Sequence, residues 1–139
     1  MIEVQTLRKG SFINMLLDKK SIKLKPDFVF AILQEASQES ELGHHQQAID
    51  DITKVLQFQP GFYLAYYYRG TYQHSLGKTR EAIDNFTQAL KMKKDYVNGY
   101  FYRGVFYGEL QEYQNGIDDL TKSIDLGATQ IVATPPWPG

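Results

Sequence analysis

No cysteine occurs among the 139 residues. That excludes disulfides, thiolate nucleophiles and cysteine-based zinc or iron–sulfur sites. Charge is nearly absent as a net quantity: 15 Lys and Arg oppose 16 Asp and Glu, for a total of −1. The chain as a whole therefore lacks the electrostatic footprint of a nucleic-acid or anionic-membrane binder. Residues 1–26 are locally basic, with six Lys or Arg against two acids. Without aromatic interleaving or a reader motif, this arm implies neither a nucleic-acid nor a membrane partner. No apolar run is long enough to span a bilayer, and MIEVQTLRKGSFINMLLDKK has no secretory core, so a cytoplasmic location is expected. Motifs for chemistry are missing as well: there is no G-x-S-x-G, Walker loop, H-E-x-x-H or Gly-rich dinucleotide turn. His44 and His45 are neighbours on a polar turn and have no further ligands to complete a metal site. The expectation is a non-enzyme without metal or cofactor.

Aromatic residues are abundant: ten Tyr and eight Phe against one Trp. They concentrate in YYYRG at 66–70 and YFYRG at 100–104, two segments 34 residues apart. A shift of 34 aligns three blocks, 27–60, 61–94 and 95–128. Leu42/Leu76/Leu110, Ile49/Ile83/Ile117, Asp50/Asp84/Asp118 and Thr53/Thr87/Thr121 are identical in all three blocks. Ala36/Gly70/Gly104 and Ala48/Ala82/Gly116 stay small, while Ile52/Phe86/Leu120 and Leu56/Leu90/Ile124 stay apolar. Within a block the apolar residues have helical spacing, as in Ala82, Ile83, Phe86, Ala89 and Leu90. The intervening LGHHQQ, LGKTRE and LQEYQN are short polar turns, two with the glycine expected just past a helix. Each block is therefore predicted to be a pair of antiparallel helices, with Pro26 and Pro60 marking handovers. The small residues are where the two helices approach closely.

This pattern resembles the tetratricopeptide repeat, a 34-residue helix–turn–helix. The resemblance is carried by Tyr66, Gly70, Leu76, Gly77, Ala82, Phe86, Ala89 and Leu90 in the second block. Tyr66 stands where the family has tryptophan, and Arg69 where it has leucine. The third block departs further, with Gln111 for the turn glycine, Gly116 for the alanine and Ala128 for the closing proline. The resemblance implies an all-α, right-handed superhelical solenoid of antiparallel helix pairs, with three repeats at 27–60, 61–94 and 95–128. Residues 1–26 are expected to be an extension containing a degenerate half-repeat, since KKSIKLKP aligns with TKVLQFQP. Residues 129–139, with three prolines in the last five, form a Pro-rich tail that cannot continue a helix.

The family resemblance also implies a concave groove lined by the first helix of each pair. The matching positions are Phe30 and Leu33, then Leu64, Tyr67, Thr71 and His74, then Asn98, Phe101 and Val105. Such a groove suits a protein or peptide partner with apolar side chains. The chaperone-binding carboxylate clamp of the family is expected to be absent. Its positions here hold Leu33, Ser37, Tyr68, Asn98 and Tyr102, with no cation. Arg69 and Arg103 recur at one repeat position. One reading makes them anion hooks; the favoured reading makes them structural donors to the recurrent Asp50, Asp84 and Asp118, or to the following Asp51 and Asp119. The expected function is a non-catalytic interaction scaffold. The alternative is a self-assembling module, a homo-oligomer whose groove or uncapped C-terminal end is filled by its own or a neighbour's tail.

Overall fold

A computed structural model describes residues 26–128, with side chains from 28 to 127. The expected half-repeat before residue 26 and the Pro-rich tail lie outside the described residues. Six helices succeed one another: α1 (Pro26–Glu41), α2 (His45–Phe58), α3 (Tyr63–Ser75), α4 (Thr79–Met92), α5 (Val97–Glu109) and α6 (Tyr113–Ala128). They form a helical solenoid of three antiparallel pairs, with each pair packed on the next and no strand among the described residues.

The second helices obey the stripe read from sequence. Ala48, Ile49, Ile52, Val55 and Leu56 of α2 are each at most 7% exposed, as are Ala82, Ile83, Phe86, Ala89 and Leu90 of α4. Periodicity of 3.6 places them on one face, which is buried by the first helices on either side. Close approach within a pair depends on glycine. A Cβ on Gly70 would lie 3.1 Å from the Ala82 carbonyl oxygen and 3.0 Å from the Phe86 ring. On Gly104 it would lie 3.0 Å from the Gly116 carbonyl oxygen and 2.9 Å from Leu120.

All three turns close in one way. The amide of His44 donates to the Glu39 carbonyl at 2.9 Å, and that of Gly43 to Ser40 at 2.9 Å. The same pair of bonds recurs at Lys78→Gln73 and Gly77→His74, and again at Glu112→Tyr107 and Gln111→Gly108. This Schellman geometry requires a left-handed residue after the helix. Gly43 (φ +87°) and Gly77 (φ +80°) supply it without strain, whereas Gln111 adopts φ +62° with a full side chain.

The core comes in two segments, as expected of a quasi-one-dimensional stack. The first is mainly aliphatic and joins Val29, Ile32, Leu33 and Ala36 of α1 to the α2 stripe and to Ala65 and Tyr72 of α3. The second is aromatic: Phe86 and Phe106 stack at 5.2 Å beside Ala82 and Ile83, with Tyr67, Tyr102 and Tyr107 packed around them.

Candidate functional site

The first helices α1, α3 and α5 carry the residues assigned to the groove. Phe30 is 46% exposed and Val105 36% exposed. Leu64, Tyr67, Thr71, His74, Asn98 and Phe101 are half-buried. Leu33 is a correction. It is only 2% exposed because Val29, Ile32, Leu33 and Ala36 form the buried stripe of α1, with Leu64 and Tyr68 packed against that cluster. In the first repeat the expected groove position is thus part of the core.

Tyr67 is locked into a network of rings. Its ring centroid lies 5.2 Å from Tyr96, 5.4 Å from Phe86, 5.3 Å from Tyr68 and 6.2 Å from Tyr102. Tyr96 also meets Tyr63 edge-on at 5.1 Å, and Phe101 meets Tyr102 edge-on at 5.1 Å. These T-shaped and tilted contacts are the favoured aromatic geometries and fix each ring's orientation. Burial, reinforced by Tyr96, Tyr102 and Tyr68, pushes the Tyr67 hydroxyl far above its ordinary range. Burial likewise raises Tyr96, helped by Tyr63 and Tyr68 and opposed by a hydrogen bond from Asn98. Both phenols stay protonated and neutral at any physiological pH.

His74 ties the second repeat to the third. Its ring stacks on Phe106 at 4.0 Å, and Nε2 lies 2.7 Å from Glu109 Oε2. Thr71 donates its hydroxyl to the Tyr68 carbonyl at 2.7 Å. Together these contacts give a row of half-exposed side chains with little rotational freedom left. That arrangement can hold a ligand by shape and apolar contact. Among the described residues no group of His, Asp and Glu is placed to hold a metal ion. No described helix is long and apolar enough to cross a membrane.

The two arginines bond to side chains of neighbouring helices: Arg103 takes Asp119, the second of the two aspartates considered for it, whereas Arg69 takes Asn85, which was not considered. Arg103 Nε donates to Asp119 Oδ2 at 2.6 Å and Nη2 to Asp119 Oδ1 at 2.7 Å, a bidentate pair. Its Nη1 donates to Thr87 Oγ1 at 3.1 Å. Arg69 repeats the geometry without the charge: Nε reaches Asn85 Oδ1 at 2.8 Å and Nη1 reaches Thr53 Oγ1 at 3.2 Å. Asp84 and Asp118, the assigned partners, are exposed and take no part. One residue along a helix is a rotation of about 100°, so residue 85 or 119 faces the arginine and its neighbour faces water. The two arginines differ electrostatically as a result. Burial lowers the Arg69 pKa, with only Tyr66 opposing. For Arg103 burial also lowers it, but the Asp119 bond and charge overcome this and leave it raised.

Each arginine therefore joins three helices: its own, the second helix of its repeat, and the second helix of the repeat before. The role of Thr53 and Thr87 escaped the sequence reading. Its signal was the identity of Thr53, Thr87 and Thr121 in all blocks, a position on the second helix with no packing reason to be threonine. Tyr96 was also missed. It lies between helices, where a helical stripe does not reach, although Phe62 is aromatic 34 residues earlier.

The tetratricopeptide-repeat family model matches residues 63–96. No curated protein matches the chain in sequence. Solved structures share its fold. A crystal structure of MamA superposes with a TM-score of 0.67 at 21% identity, covering 82% of this chain. This chain spans only 64% of that MamA chain. The first TPR of Spaghetti (RPAP3), bound to the HSP90 peptide SRMEEVD, gives a TM-score of 0.71 at 18% identity, covering 82% of this chain and 100% of that one. The first TPR domain of human RPAP3 gives 0.69 at 20% identity, covering 73% and 80%.

Proposed function

Because the chain is a tetratricopeptide-repeat solenoid, we propose that it is a non-catalytic interaction module that binds a peptide or protein segment along α3 and α5. One observation carries the reading: Leu64, Thr71, His74, Asn98, Phe101 and Val105 form a half-exposed row on the two first helices, set on interlocked rings. A surface ordered before binding loses little side-chain entropy on contact, so modest apolar contacts suffice for useful affinity. The structurally similar RPAP3 domain bound to a peptide supports a peptide as the class of ligand. The ligand end is read differently here. With Leu33, Ser37, Tyr68, Asn98 and Tyr102 at the clamp positions, recognition rests on apolar side chains and not on a terminal carboxylate.

The test is affinity capture from the source lysate with wild type and an Asn98→Ala/Val105→Asp double variant. Neither residue belongs to the two cores, so melting temperature is expected to fall only slightly, through loss of the Asn98 hydrogen bond to Tyr96. A partner retained by wild type and lost by the variant supports the groove; equal retention by both overturns it.

A further inference from the structure

Charge is sorted between the two classes of helix. Among the described residues every lysine (Lys54, Lys78, Lys91, Lys93, Lys94 and Lys122) lies on a second helix or in a connection flanking α4. The first helices α1, α3 and α5 carry no lysine, and their two arginines are already engaged by Asn85 and Thr53 or by Asp119 and Thr87. They do carry acids. Glu41 and Glu109 are the last residues of α1 and α5, at one repeat position, where α3 ends in Ser75. The first helices run parallel, so these three ends lie along one edge of the groove.

Both glutamates are exposed. Glu109 follows Val105 by four residues, which puts the two on one face of α5. His74 of the groove row stacks on Phe106 at 4.0 Å and holds Glu109 Oε2 at 2.7 Å, so the carboxylate is fixed at the end of that row. Beside it stand the half-buried rings of Phe101 and Tyr102. Tyrosine faces in this molecule already take cations: Arg69 lies over Tyr66 at 5.4 Å and Lys93 over Tyr63 at 5.6 Å.

We infer that the segment bound along α3 and α5 is cationic: an apolar stretch of another polypeptide bearing lysine or arginine, one of which pairs with Glu109. The inference rests on the groove reading above and names the chemistry of its ligand. Charge complementarity carries it. An acidic segment would meet Glu41 and Glu109 without a lysine or an uncommitted arginine on the first helices to answer it. A basic one meets an oriented carboxylate and the negative faces of aromatic rings.

The probe is a displayed library of random dodecapeptides selected on the intact protein. Selected sequences should be apolar and enriched in Lys and Arg over Asp and Glu by about threefold or more relative to the input. A resynthesised selected peptide, titrated by fluorescence anisotropy, should bind about fivefold more weakly to Glu41→Gln/Glu109→Gln. Glutamine keeps a hydrogen bond to His74, so melting temperature should hold. Asp84→Asn/Asp118→Asn removes the same charge from second helices and should leave affinity unchanged. Apolar selected sequences without the basic bias, lost on Phe101→Ala/Val105→Ala, overturn this inference and leave the groove reading standing. Peptides indifferent to both Phe101→Ala/Val105→Ala and Glu41→Gln/Glu109→Gln overturn the two together. Tighter binding to full-length Lys19→Gln/Lys20→Gln/Lys23→Gln/Lys25→Gln than to wild type also overturns it, because the chain's own basic arm is then the occupant.

Discussion

The second and third repeats share a backbone plan, yet they solve three local problems differently. The second has Asn85 facing its arginine, Gly77 in its left-handed turn and Ala82 at the helix crossing. The third has Asp119, Gln111 and Gly116. Asn85 is neutral and well satisfied: besides accepting from Arg69, its amide donates to the Glu81 carbonyl at 3.1 Å and to Gln73 Oε1. Asp119 is a carboxylate with a side chain only 9% exposed, held against an Arg103 side chain 17% exposed. A buried ion pair is weak evidence of extra stability, because desolvation offsets most of its attraction. Its vulnerability to losing one member is another matter. The comparison teaches that one repeat position can hold the same arginine through hydrogen bonding alone or through charge, with very different consequences when it is removed.

Arg103→Ala is accordingly the most damaging change. It strands the Asp119 carboxylate and should cost about 3–5 kcal/mol by urea denaturation, most of it recovered in Arg103→Leu/Asp119→Leu. Gly116→Ala comes next. It restores the alanine found at 48 and 82, yet its Cβ would sit 2.9 Å from the Gly104 carbonyl oxygen. Because that obstacle is backbone, the variant should lose about 2 kcal/mol, an overpacking penalty. Arg69→Ala leaves a neutral Asn85 that keeps its other bonds, at a cost of about 1–2 kcal/mol. Equal losses for Arg103→Ala and Arg69→Ala would break the comparison. The smallest effect carries the opposite sign. Gln111→Gly relieves a left-handed residue and should gain about 1 kcal/mol, read as a raised melting temperature. Gly77→Gln, the reverse exchange in the second repeat, should lose a similar amount.

Much of this was legible in the sequence. The 34-residue register, the helix pairs, the small crossing positions and the structural character of the arginines all emerge from recurrence and helical spacing. The partner of each arginine did not. Asp-Asp doublets occupy 50–51 and 118–119, so composition alone does not say which member faces inward. Only the helix rotation decides, and Asn85 then shows that charge is not required. Leu33 misled because alignment transfers a position but not its exposure: in α1 it joins a continuous aliphatic stripe. The stripe of α6 makes the reverse point. Ile117, Leu120 and Ile124 have the spacing of a core face, but local pattern does not encode whether another helix packs over that face.

The reading of α3 and α5 as the binding surface is tested most directly by photocrosslinking. A benzoylphenylalanine is placed at Val105, on the half-exposed row, and separately at Gln88, exposed on α4. Both proteins are irradiated in the source cells and their adducts compared. The account predicts one discrete adduct from position 105 that is absent from position 88 and is lost when Asn98→Ala is added. An adduct formed equally at both positions, or at position 88 alone, would contradict it.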